Sequence, residues 1–109
     1  MGDWQSLINL IRQFNQERDW GQFHNAKDLA LALSIEAGEL NELFLWKNAE
    51  EADQERVKEE LADIFTYAIQ LADKYDFDIN EIVSRKIQNN ALKYPVEKAR
   101  GSAKKYNDL

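Results

Sequence analysis

Apolar residues recur at helical spacing along most of the chain. Between Trp4 and Arg18, the residues Leu7, Ile8, Ile11 and Phe14 fall on one side of a helix, and Asp3 stands where an N-cap belongs. The stretch Arg18-Asp19-Trp20-Gly21-Gln22-Phe23-His24 breaks the rhythm and reads as an aromatic loop. A second helix starts near Asn25, with Asp28 three residues on in the manner of a capping box, and runs to about Lys47. A third begins near Asn48 or Asp53 and ends near Tyr75. A fourth starts at Asp78, with Glu81 three residues later, and stops near Tyr94, because Pro95 disfavours helical geometry at the residue before it. Long amphipathic helices on short connections predict an all-α, four-helix bundle-like domain over residues 1–95. The first helix packs across the others or against a partner subunit. Residues 96–109 carry Lys98, Arg100, Lys104 and Lys105 and read as a flexible basic tail; the alternative is an arm that closes over an anionic substrate.

Composition agrees with this outline. The chain has 109 residues, 44% of them apolar, enough for one core, and a single Pro and four Gly argue against a turn-rich β fold. With no cysteine, disulfides and thiolate metal sites are excluded. No apolar run approaches the ~20 residues of a membrane span. The N-terminus lacks the apolar stretch of a signal peptide, so a cytoplasmic protein is expected. A net charge of −6 makes a general nucleic-acid binder a poor reading and suits cations. An anionic substrate then needs metal ions or local Lys and Arg to offset repulsion.

Carboxylates stand where a core is expected. The second helix has the stripe Leu29, Leu33, Leu40, Leu43 and Phe44; Glu36 falls near its middle and Glu39 on its flank, beside Ala32 and Trp46. The third has the stripe Val57, Leu61, Ile64, Phe65, Ala68 and Ala72, with Glu60, Asp63 and Tyr67 along one edge, Leu71 above them, and Glu59 pointing to solvent. Spacing of three puts each pair, Glu36 with Glu39 and Glu60 with Asp63, on one helix face. Antiparallel packing makes the four converge, and four like charges do not stay ionised together without cations. Oxygen ligands suit Mg²⁺ or Mn²⁺; with His24 as the only histidine, zinc is disfavoured. The plainer reading is that acidic pairs on helices usually lie on wet faces; two pairs bordering apolar stripes on successive helices weigh against it.

On the fourth helix the stripe begins Ile79, Ile82, Val83 and Ile87, yet Lys86 and Asn90 fall inside it and Lys93 near its edge. Lys86 either snorkels to the surface or meets a phosphate, and Asn90 can hydrogen-bond a base, sugar or phosphate. Trp20, Phe23, Trp46 and Tyr67 are candidates to stack on a base; each taken singly also suits a core.

The stretch Glu36-Ala37-Gly38-Glu39-Leu40 followed by Glu59-Glu60-Leu61-Ala62-Asp63 resembles the MazG family of all-α NTP pyrophosphohydrolases, whose pattern is E-x-x-E, a spacer, then E-x-x-D. Glu17-Arg18-Asp19-Trp20, Phe23-His24, Leu43-Phe44-Leu45-Trp46-Lys47 and Lys93-Tyr94-Pro95 resemble its dCTP pyrophosphatase branch, and the likeness covers roughly residues 7–95. The resemblance implies Mg²⁺-dependent hydrolysis of a nucleoside triphosphate to a monophosphate and pyrophosphate. It implies metal ligation by Glu36, Glu39, Glu60 and Asp63, and base and sugar contacts from Trp20, Phe23, His24, Trp46 and Tyr67. Lys86 and Asn90 are implied to lie close to the substrate. It further implies a homo-oligomer, dimer or tetramer, with the site completed across subunits. Where the eukaryotic branch carries an N-terminal substrate-contacting His, this chain has Ile11.

The expected chemistry rests on positioning and electrostatics. Bound Mg²⁺ neutralises phosphate oxygens and lowers the pKa of a bound water, one carboxylate such as Glu39 or Glu36 orients or deprotonates that water, and Lys86 assists departure of pyrophosphate. The rivals are a non-catalytic nucleotide- or metal-binding protein on the same scaffold and a helical interaction module. A ferritin-like di-metal oxidase lacks its Glu-x-x-His pairs.

Overall fold

The computed structural model describes residues 3–109, whose regular elements are all helices, with no strand among them. The long helices are α1 (Trp4–Glu17), α2 (Ala26–Glu42), α3 (Gln54–Lys74) and α4 (Ile79–Lys93), and a single turn, α5 (Val96–Ala99), follows. The chain forms two compact units, Met1–Asp76 and Phe77–Leu109. None of the helices among the described residues is long and apolar enough to cross a membrane.

Side-chain caps set the helix starts. Asp3 accepts from the Ser6 amide, Asn25 from Asp28, Asp53 from Glu55 and Asp78 from Glu81. Each satisfies an amide that has no partner within its own helix. At Asn25 the second bond of the cap joins side chains, Asn25 Nδ2 donating to Asp28 Oδ2 at 2.9 Å. Of the two starts expected for the third helix, Asp53 caps α3. Asn48 heads a separate 3₁₀ turn, Ala49–Glu51, closed by a reciprocal capping box with Glu51.

One expected boundary needs correction. The second helix ends at Glu42 and not near Lys47. Leu43, Phe44 and Leu45 donate to carbonyls three residues back, and Trp46 takes a left-handed φ of 61°, which a right-handed helix cannot carry. The aromatic loop contains a 3₁₀ turn, Trp20–Phe23, entered through left-handed Asp19. The segment 96–109, expected as a basic tail, carries short local structure. Pro95 ends α4 and N-caps α5, its fixed φ suiting a helix entry, and a 3₁₀ turn spans Tyr106–Asp108. Tyr106 meets the Tyr94 ring edge-on at 6.1 Å and lies 5.0 Å from Lys93 Nζ.

In the first unit, α2 and α3 pack along each other and α1 lies against α3. The short connection over residues 43–53 makes α2 and α3 an antiparallel hairpin. Leu29, Leu43, Ile69 and Ala72 are buried, and Leu29 is the most enclosed at 1% exposure. Val57, Glu60, Ile64, Tyr67, Ala68 and Leu71 are half-buried, whereas Leu61 and Phe65 of the expected stripe are exposed. The α3 face turned to α2 is therefore rotated toward the Glu60 edge. Arg12 clamps α1 to α3 through both carboxylate oxygens of Asp73, with Nε to Oδ2 at 2.9 Å, and holds that carboxyl below its usual pKa.

Truncation at Leu29, the most enclosed large side chain among the described residues, measures this small core. Leu29→Ala is expected to lower unfolding free energy by about 2–5 kcal/mol, checked by urea titration of the purified protein.

Candidate functional site

The hairpin register brings the acidic pairs together. Glu36 lies six residues before the end of α2 and Glu60 six after the start of α3, so antiparallel packing sets them opposite each other. Ligand oxygens of Glu36, Glu60 and Asp63 all lie within 4.8 Å of one another. Glu36 and Glu60 are half-buried and Asp63 is exposed. Glu36 Oε2 and Glu60 Oε2 are shielded from solvent, and no donor reaches either. Two full negative charges ~4 Å apart repel by about 1 kcal/mol in bulk water and about 4 kcal/mol at an effective dielectric of ~20. Without a cation, the relief open to two ionised acceptors is a shared proton. That sharing with Glu60, then burial, then the approach of Glu39 push the Glu36 carboxyl up to about 7.

Paired shielded oxygens with no donor, in an all-carboxylate set, fit a hard cation and make little sense as a neutral hydrogen-bonded core. Glu39 is exposed and adjoins Glu36. It opens into a polar cavity of about 300 Å³ lined with Glu42, Leu43, Lys47, Arg56 and Glu60. Lys47 and Arg56 supply positive charge next to the carboxylates.

A second cavity, about 410 Å³, borders Asp63. Leu10, Ile11, Phe14 and Asn15 of α1 wall it, with Trp20, His24 and Asp63, Thr66, Tyr67 and Gln70 of α3. Trp20 is held edge-on to Phe14 at 5.6 Å between ring centres, while Arg18 stacks over the other ring at 3.8 Å from the Phe14 centroid. His24 Nδ1 is shielded and lacks a partner. The cavity thus has aromatic walls, a few polar groups and one carboxylate of the acidic cluster, a combination suited to a flat polar ring joined to an anionic group.

The remaining expected residues lie elsewhere. Phe23 is exposed and does not line this cavity. Trp46 stands beyond the end of α2, so the helical projection that set it on the Glu39 face does not hold, and it is 98% exposed. Lys86 is exposed and Asn90 half-buried, both on α4 in the second unit. Sequence reasoning passed over Arg56, Asn15 and Gln70. Each left a signal: Arg56 precedes Glu60 by one turn, Asn15 continues the Ile8–Ile11 stripe as a polar residue, and Gln70 extends the Glu60–Asp63–Tyr67 line.

The model of the MazG-like family matches residues 31–109. The chain is 43% identical to dCTP pyrophosphatase 1 of Bos taurus, over 96% of this chain and 67% of that protein. It is 39% identical to dCTP pyrophosphatase 1 of Homo sapiens, over 96% and 66%. It therefore spans about two thirds of the length of these relatives. A crystal structure of a pyrophosphatase from Archaeoglobus fulgidus superposes with a TM-score of 0.78 at 35% identity, covering 84% of this chain and 91% of that one.

The Glu36 carboxyl fixes the sign of a pH effect on the metal-free protein. A folded pKa raised from 4.5 to about 7 contributes stability that is full below the unfolded value and is lost as pH rises through 7. The melting temperature in chelator is expected to fall between pH 5 and pH 8, and Glu36→Gln to flatten that fall, measured by thermal melts across the range.

Proposed function

The chain belongs to the MazG-like family, and from that premise we propose that it hydrolyses nucleoside triphosphates to a monophosphate and pyrophosphate, with dCTP or a modified deoxynucleotide as substrate. The observation that carries the reading is the pair of shielded, donorless oxygens of Glu36 and Glu60, set beside an aromatic cavity that shares Asp63 with them. A surface acidic patch would leave its oxygens in water, and a purely interactive helix face would not build a cavity against them.

Glu36, Glu60 and Asp63 would hold Mg²⁺, or Mn²⁺, with Glu39 at the edge of the set. The bound ion supplies charge neutralisation at the phosphate oxygens and a more acidic water. Glu39, exposed and lining the polar cavity, would orient the attacking water and take its proton. Water adds to the α-phosphorus, the bond from that phosphorus to the bridging oxygen breaks, and pyrophosphate leaves with the bridging oxygen. Lys47 and Arg56 offset the negative charge of the departing group in the same cavity. The family resemblance alone extends the proposal to Lys86 and Asn90 as phosphate and substrate contacts and to Trp46 and Phe23 as stacking surfaces. Trp20, His24 and Tyr67 enclose the nucleoside and exclude water from it.

A homo-oligomer is part of the reading. Leu31 and Ile35 on α2 and Leu61 and Phe65 on α3 are one-turn pairs of large apolar side chains left exposed in the single chain. Burial against a second copy removes that surface from water. The cytoplasm, where nucleotide pools reside, is the proposed compartment.

Two measurements test this. Glu36→Gln, Glu60→Gln and Asp63→Asn are each expected to lower pyrophosphate release from dCTP at saturating Mg²⁺ by at least ~100-fold. Full activity in all three variants would overturn the assignment. Because a proton competes for Glu36 below about 7, thermal stabilisation by Mg²⁺ is expected to be larger at pH 8 than at pH 6, with protons released on binding; equal shifts at both pH values would contradict it.

A further inference from the structure

The aromatic cavity has one end built from polar side chains that the proposed reaction leaves without a task. Asn15 Nδ2 donates to Gln70 Oε1 at 2.8 Å. Gln70 is buried, and its Nε2 donates to the Thr66 carbonyl at 3.3 Å. A carbonyl only accepts, so Thr66 fixes which end of the Gln70 amide faces it, and the Gln70 oxygen is turned to Asn15. Asn15 then donates to that oxygen, which leaves its own Oδ1 as an acceptor with no donor among the described residues. His24 Nδ1, on the same wall, is shielded and also unpartnered.

The wall stands at the right distance. Asp63, Thr66, Tyr67 and Gln70 run along one side of α3, and Asp63 to Gln70 is two turns, about 10 Å. Phosphates at the Asp63 end leave the sugar beside Thr66 and Tyr67 and bring the edge of the base to Asn15. Behind the wall lies a third cavity, of about 620 Å³. It shares Ile11, Asn15, His24 and Gln70 with the first, so these four side chains form a partition that sets how deep a base can enter.

We propose that Asn15, held in one amide orientation by Gln70, is a specificity-determining residue that accepts a hydrogen bond from an exocyclic amino group of the base. The inference rests on the pyrophosphohydrolase reading of the site. Bases with an amino group at that edge, such as cytosine or adenine, satisfy Oδ1. Bases with a carbonyl there, such as uracil or hypoxanthine, set two acceptors against each other.

The test is kcat/KM, from pyrophosphate release, for the pairs dCTP against dUTP and dATP against dITP. It compares the native protein with Asn15→Ala, Gln70→Met and Arg12→Ala. The native protein is expected to prefer the amino-bearing member of at least one pair. Asn15→Ala should cut that preference about tenfold, the scale of one hydrogen bond to a base, and Gln70→Met, which frees the Asn15 amide to turn over, should cut it too. Arg12→Ala weakens the same α1–α3 contact outside the aromatic cavity; it should lower the melting temperature and keep the ratio. The proposal is overturned if the native protein shows no such preference. It is overturned equally if the ratio survives in both amide variants, or if Arg12→Ala lowers it as much as Asn15→Ala. A native protein that releases no pyrophosphate from any nucleoside triphosphate overturns the functional reading itself, and this inference with it.

Discussion

Two half-buried carboxylates face each other in the middle of a helical hairpin, and most of what is distinctive in this chain follows from the need to relieve them. The α2–α3 seam is apolar at both ends, Leu29 with Ile69 and Ala72 at one and Leu43 with Val57 at the other. Between them Glu36 meets Glu60, with Asp63 one turn on. A seam optimised for stability would place leucines there. The acids persist in a half-buried setting where their repulsion exceeds its value in water several-fold, and where a proton is the remedy at low pH and a divalent cation the remedy at neutral pH.

The surroundings divide what a nucleotide would bring. Toward the hairpin turn, the carboxylates open into a small polar cavity with Lys47 and Arg56, suited to phosphate. Toward the other end of α3 they border a larger cavity with Trp20 and Tyr67 in its wall, suited to a nucleoside. Asp63 belongs to both the acidic cluster and the aromatic cavity, so the two are joined along two turns of a single helix.

Much of this was legible in the sequence, for reasons that can be traced. Helix starts were readable because each is capped by an Asp or Asn whose side chain has a local task. The acidic cluster was readable because a charge inside an apolar stripe is costly and spacing of three fixes its face. The end of α2 was not readable: nothing in Leu43-Phe44-Leu45-Trp46-Lys47 is a helix breaker, and the left-handed turn at Trp46 arises from chain reversal into α3. The aspect of α3 is not encoded locally: Leu61 and Phe65 look like core, yet the helix turns Glu60 inward and leaves them outside. Pairings between distant segments, Arg12 with Asp73 and Asn15 with Gln70, depend on how α1 crosses α3, which no local pattern encodes.

At neutral pH a divalent cation would take the place of a proton between the facing carboxylates of α2 and α3. Anomalous diffraction from crystals grown with Mn²⁺ and a non-hydrolysable deoxynucleotide analogue tests it most directly. A manganese peak bounded by the Glu36, Glu60 and Asp63 carboxylates is expected. Ordered nucleotide with those three side chains metal-free, or manganese bound only at another surface, would contradict it.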